Sequence, residues 1–186
     1  MLPLVDSYED YKSSVQPTLT ARVSLRFPLS EDMLLIKQWL EMSDVEHSWG
    51  PAAENVALLA GNRKEVDHRV ILLDDTPVGY LRWRTSGGAL LRGTAVANVI
   101  PEEAIQLDVL VGPRDRRFVG IGCVALRHAW DELAETLAPS VCFGKTSVHH
   151  LASRRAYEKA GFLHHYFFDD PAIGAAVAML RHSVEY

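Results

Sequence analysis

Arg117-Phe118-Val119-Gly120-Ile121-Gly122 lies between an apolar run, Ala104–Val111, and an amphipathic stretch, Gly120–Leu137. A basic residue, two spacers and a Gly-x-Gly pair at that junction predict a strand, a tight backbone curl and a long helix. Glycines lack Cβ atoms, so a ligand can come close to the amide groups of such a curl. The helix behind it turns its positive pole and unpaired N–H groups into the curl, which suits a pyrophosphate. Two rival phosphate patterns fail here. Gly120-x-Gly122-x-x-Ala125 also has dinucleotide-binding spacing, but that pattern needs glycines directly after a strand and an acid about 20 residues on. The eight residues Gly112 to Val119 intervene, and 139–147 holds no acid. Gly144-Lys145-Thr146 imitates the end of a P-loop, yet Pro139 stands where its first glycine belongs.

Outward from that junction, the pattern alternates strands and helices. Thr20–Phe27 reads as a strand closed by Pro28. Glu31–Met42 reads as a helix with Leu35, Ile36, Trp39 and Leu40 on one stripe and Ser30 as its N-cap. A short helix follows Pro51 up to Gly61. Arg69–Leu73 and Val78–Arg84 form a hairpin around Asp74-Asp75-Thr76-Pro77. Residues 85–101, with three glycines, Pro101 and no carboxylate, read as a mobile loop or irregular hairpin. Leu126, Trp130, Leu133 and Leu137 give the long helix an apolar face. Val141–Thr146 is a strand, and His149–Lys159 a helix stopped by Gly161. Phe162–Phe168 and Ala175–Val184 close the chain as strands around Asp169-Asp170-Pro171. The expected fold is α/β (α+β), a mixed, mostly antiparallel six- to seven-stranded sheet flanked by helices.

The 186 residues fit one domain, taken here as 20–186 behind an N-terminal extension over 1–19. A net charge of −5 argues against nucleic acid as a partner. No apolar run reaches membrane-spanning length and no signal-peptide pattern opens the chain, so a cytoplasmic protein is expected. Cys123 and Cys142 read as reduced structural thiols. His149-His150 and His164-His165 lack ligand spacing, so no metal is expected.

The second informative block is Leu151-Ala152-Ser153-Arg154-Arg155-Ala156-Tyr157-Glu158-Lys159-Ala160-Gly161-Phe162. Strand, glycine loop, long helix, strand and this helix end together resemble the GNAT superfamily of N-acetyltransferases and its two acetyl-CoA motifs. Within it, Ile36–Leu40, Val45-Glu46-His47-Ser48-Trp49-Gly50 and Pro77-Val78-Gly79-Tyr80 resemble the aminoglycoside 6′-N-acetyltransferase branch and its siderophore-pathway relatives.

The resemblance implies acetyl-CoA as co-substrate. Its pyrophosphate would be held by Arg116, Arg117 and the N–H groups of Phe118, Val119, Gly120, Ile121 and Gly122, with Val109, Leu110, Val111, His150 and Tyr157 along the rest of it. His150 stands where the family usually carries Asn. Tyr157 matches the tyrosine proposed as acid for the departing thiolate; a plain core tyrosine is the alternative. Asp108 matches a carboxylate proposed as base. Amid apolar neighbours it is either functional or paired with Arg82 or Arg84. An oxyanion donor is expected at Val109 or Leu110, where the family's strand bulges. Trp49, Trp83 and Asp169 are candidate acceptor-side residues, alongside Asp108.

The expected partner is a small-molecule amine, and the protein a monomer or homodimer. An aminoglycoside-like amino sugar, a siderophore-type hydroxylysine or another small amine would be acetylated. A non-catalytic acyl-CoA-binding sensor is the rival outside enzymes. The acid-free 85–101 loop, Lys145, Arg82 and Arg84 depart from a site built for a polycation.

Overall fold

The computed structural model describes residues 19–59 and 66–183. Its elements run β1 (Val23–Arg26), α1 (Asp32–Leu40), α2 (Ser43–Trp49), α3 (Ala52–Leu59), β2 (Val66–Leu73), β3 (Thr76–Arg84), β4 (Ile105–Val111), α4 (Ile121–Thr136), β5 (Val141–Ser147), α5 (Leu151–Lys159), β6 (His164–Asp170) and β7 (Gly174–His182). One seven-stranded sheet has the order β1-β2-β3-β4-β5-β7-β6. Every neighbouring pair is antiparallel except β4 and β5. The expected mixed, mostly antiparallel sheet is therefore present. The expected extension, the end of α3 at Gly61 and the end of β7 at Val184 fall on residues outside the described ones, save that Leu19 packs against the core.

Period-2 alternation sorts side chains to two faces. On one face Ile71, Leu81, Trp83 and Leu107 pack against α4 through Ala125, Leu126, Ala129 and Leu133. On the other, Val70, Leu72, Tyr80 and Leu110 pack against Ile36, Trp39 and Leu40 of α1 and Val45 of α2. Each such side chain removed from water contributes about 1.5–3 kcal/mol.

Three expectations are corrected. Residues 85–101 are not a mobile loop. A 3-10 turn, Gly87–Leu91, opens a packed segment whose Leu91, Val96 and Ile100 are buried against Phe143, Phe168 and Ala178. That segment covers the β5-β7-β6 part of the same face that α1 and α2 cover elsewhere. Ser30 does not cap α1. Asp32 does the comparable work from inside the first turn, accepting the Leu29 N–H at 2.6 Å and pairing with Arg26. Residues 19–22 are helical, so the first strand starts at Val23 rather than Thr20.

Candidate active site

The parallel pair is where the sheet opens. β4 and β5 pair only at Ile105↔Cys142 and Gln106↔Phe143, although both strands run on for several residues. By the alternation of a parallel ladder, the next rung would join the Lys145 N–H to the Leu107 carbonyl. That carbonyl instead accepts the Tyr157 hydroxyl at 2.8 Å. The Tyr157 ring packs against Gly144, where a Cβ would sit 2.0 Å from a ring carbon, and edge-on to Phe162. Tyr157, from α5, thus stands as a wedge where the two strands part. Burial pushes its hydroxyl well above the usual tyrosine range, so it keeps its proton at any physiological pH.

Which main-chain groups face the parting follows from the ladder on the other side. The Gly112 N–H donates to the Val78 carbonyl, and the β3–β4 register is unbroken from Gly79↔Val111 to Arg84↔Gln106. Alternation then turns the N–H groups of Gln106, Asp108 and Leu110 toward β3, and those of Val109 and Val111 toward the parting. Of the two candidates for oxyanion donor, Val109 is the one whose N–H faces the parting. The Leu110 N–H faces β3 and its side chain packs with α1 and α2. β4 stays in register with β3, and the neighbour it leaves is β5, beyond Gln106.

The glycine loop meets the end of this parting. Phe118 (φ 66°) and Gly120 (φ 96°) take left-handed conformations, and the first α4 bond is Val124 N–H to Gly120 carbonyl. Among the described residues, no N–H from Phe118 to Cys123 has a protein acceptor, as expected of a curl plus a helix's first turn. Phe118, Val119 and Gly120 are exposed, while Ile121 is buried beneath them. A Cβ on Gly122 would make only ordinary contacts, with Val111 at 3.8 Å and Ala156 and Val109 at 4.0 Å.

The two loop arginines differ. Arg116 is exposed, with Asp115 at 3.4 Å. Arg117 is committed elsewhere. Its Nε donates to the Val111 carbonyl and one Nη to the Gly112 carbonyl, both at 2.9 Å, and it pairs with Asp44 of α2. Its side chain ties the loop to α2 rather than reaching outward. His150, the N-cap position of α5, has its Nδ1 3.0 Å from the Ser48 hydroxyl. Desolvation and the Arg117 charge hold it below the ordinary histidine range, so it is neutral at pH 7.

The face carrying α1 and α2 holds a buried polar cluster that continues from β3 to β4. Arg82 Nε donates to Asp108 at 2.8 Å, and Gln106 Nε2 donates to the other Asp108 oxygen at 2.8 Å. Burial alone would push the Asp108 carboxyl up, but Arg82, Arg84 and these hydrogen bonds hold it below the usual carboxylate range. Of the two alternatives for Asp108, the pairing with Arg82 is realised, and in this state the carboxylate is a weak base. Trp49 stacks over the Arg82 guanidinium at 4.6 Å and lies 5.9 Å from Tyr80, whose hydroxyl meets His68 Nδ1 at 2.6 Å.

Two acceptor-side expectations are corrected by strand parity. Trp83 points to the opposite face, into the α4 core, with Arg69 over its ring at 4.3 Å. Asp169 is exposed, whereas its neighbour Asp170 is buried and pairs with Lys145 at 2.6 Å. That pair neutralises the lysine that had looked like an added positive charge. Gln106 and Ser48 were missed by sequence reasoning. Gln106 lay two residues from Asp108 on a predicted strand, which placed both on one face.

Similarity to solved structures comes from shape. The chain superimposes on aminoglycoside acetyltransferase AAC(6′)-Ib in complex with paromomycin and acetyl-CoA with a TM-score of 0.68 and 24% identity, over 86% of this chain and 93% of that one. The chain has the GNAT fold. Other GNAT structures match it similarly. Spermidine N-acetyltransferase from Vibrio cholerae, in complex with CoA and spermine, gives 0.64 at 12% identity, covering 87% of this chain and 96% of that one. Aminoglycoside N(6′)-acetyltransferase from Legionella pneumophila gives 0.65 at 15%, covering 86% and 91%. No protein-family model matches the chain, and no curated protein matches it in sequence. Among the described residues no three His, Cys, Asp or Glu side chains gather as metal ligands, and no helix is long and apolar enough to cross a membrane.

Proposed function

We propose that the protein is an acetyl-CoA-dependent N-acetyltransferase that acts on the primary amine of a small molecule by direct transfer. The observation that carries this reading is the parting of β4 and β5 around Tyr157, ending at a loop whose amides have no protein acceptor. The residues present fit the coenzyme. Unpaired N–H groups from Phe118 to Gly122, at the positive end of α4, would take a pyrophosphate. Arg116 is free to approach it, while Arg117 fixes the loop from behind. The Val109 and Val111 main-chain groups facing the parting would take the amide groups of an extended pantetheine arm.

Acyl transfer to an amine needs a donor for developing oxyanion charge, a proton for the departing thiolate and an acceptor for the ammonium proton. Val109 N–H supplies the first. Tyr157, which holds its proton through the neutral range, supplies the second. Asp108 attracts the ammonium. To accept its proton as well, it must be released from part of the Arg82 charge that depresses it. The acceptor would arrive on the face of Trp49 and Asp108, and the coenzyme through the parting. By likeness to the aminoglycoside acetyltransferases, an amino sugar bearing a 6′-amine is the first acceptor class to assay.

Free-thiol release from acetyl-CoA, followed with a panel of amino sugars, polyamines and amino acids, tests the reading. It predicts release that depends on one class of amine. Acetyl-CoA binding with no amine-dependent release, unaltered by Tyr157→Phe, would favour the non-catalytic sensor.

A further inference from the structure

We propose that the acceptor carries an anionic group, of carboxylate type, beside its amine, and that Arg82 and Arg84 hold that group. This rests on the transfer reading above. The strand register sets Arg82 opposite Asp108 and Arg84 opposite Gln106, so both guanidinium groups enter the same buried cluster. Arg82 is 3% exposed and gives its Nε to Asp108, while its Nη1 is buried with no partner among the described residues. Arg84 has a buried Nε with no partner among the described residues, and no carboxylate lies within ion-pair distance of it there. Burial and the Arg82 charge hold Arg84 below the ordinary arginine range, although the Asp108 carboxylate, already hydrogen-bonded to Arg82, pulls the other way.

Charge arithmetic points the same way. Across β3 to β7 on this face Arg82, Arg84 and Lys145 supply three positive charges, and Asp108 and Asp170 two negative ones, which leaves one positive charge in excess there. A bare ammonium entering beside them would double the excess. An ammonium joined to a carboxylate adds nothing. Guanidinium N–H groups fork onto carboxylate oxygens in parallel pairs, so two arginines with unused donors match such a group in shape as well as in charge. Stacking of Trp49 on Arg82 fixes the plane of that fork. An anion there also competes with Asp108 for Arg82, and so relaxes the hold that makes Asp108 a weak base. The same arrangement disfavours polycations, because they bring charge of the wrong sign to Arg84.

The test uses matched amines that differ only in bearing a carboxylate or its neutral carboxamide, each assayed by thiol release from acetyl-CoA. The expected wild-type kcat/KM favours the carboxylate member by about 30-fold, and Arg84→Gln brings that ratio close to one. Arg84→Lys keeps part of the preference, and decides the matter with the wild-type ratio if Arg84→Gln fails to fold. A wild-type enzyme that turns over both members alike overturns the inference and leaves acetyl transfer standing. So does a preference that survives Arg84→Gln, since ordered water would then satisfy the orphaned N–H groups. No release with any amine overturns the transfer reading and this inference together.

Discussion

Tyr157 joins the fold to the chemistry through one hydroxyl and one ring. The hydroxyl takes the carbonyl that the next β4–β5 rung would use, and the ring occupies the space a side chain at 144 would fill. Tyr157→Phe is expected to lower kcat by about 100-fold, the size of a lost general acid, while costing about 1 kcal/mol of stability for one hydrogen bond. Steady-state rates beside a denaturant melt check both numbers. Gly144→Ala is expected to cost about 1–3 kcal/mol, because its methyl would collide with the buried ring. An unchanged melting temperature would show that the ring is not fixed there.

The importance of Tyr157 was legible in the Y-E-K-A-G-F run, because a resemblance carried it. Asp170 and Trp83 were not legible. Face assignment on a strand depends on register, and a slip of one residue exchanges the two faces. The sequence cannot say whether Asp169 or Asp170 points inward until the β6–β7 turn is placed.

At the scale of elements, α4 and its leading loop make the strongest prediction. Gly122 sits in the first turn of α4, where a Cβ would make only ordinary van der Waals contacts. An acidic residue there complements the positive end of a helix, so Gly122→Asp is expected to keep or raise the melting temperature. It places negative charge and bulk beside the phosphates, so acetyl-CoA affinity should fall below calorimetric detection. Normal affinity in a folded Gly122→Asp protein would contradict the loop assignment.

The long helix, the hairpin and the β5–α5 order were legible from apolar periodicity. The short α2 was not, since Ser43–Trp49 spans two turns and buries only Val45. Residues 85–101 misled for a related reason. Gly87, Gly88 and Gly93 signal a break in regular structure, and nothing in their spacing reveals that Leu91, Val96 and Ile100 fill a core layer.

Across the whole molecule, buried and half-buried ion pairs fix the response to acid. Asp32, Asp44 and Asp108 all lie below the usual carboxylate range, held by Arg26, by Arg117 and by Arg82 with Arg84. Groups depressed on folding add stability that is complete above the unfolded-state value, about 3.9, and lost as pH falls through the folded one. The melting temperature should therefore stay level from neutral pH to about 5 and drop steeply below about 4. Arg117–Asp44 joins the glycine loop to α2, so coenzyme affinity should weaken in the same acid range.

A cavity of about 610 Å³ lies at the other end of β5 and β7, lined by Arg127, Lys159, Arg181 and neighbours. It shares no residue with the parting. That separation makes a crystal structure with coenzyme A the most direct test. The account predicts the pyrophosphate on the amides of Gly120 and Gly122 and the pantetheine arm between β4 and β5, its sulfur beside Tyr157. Coenzyme lodged in the basic cavity at the far end, or absent from the parting at saturating concentration, would contradict it.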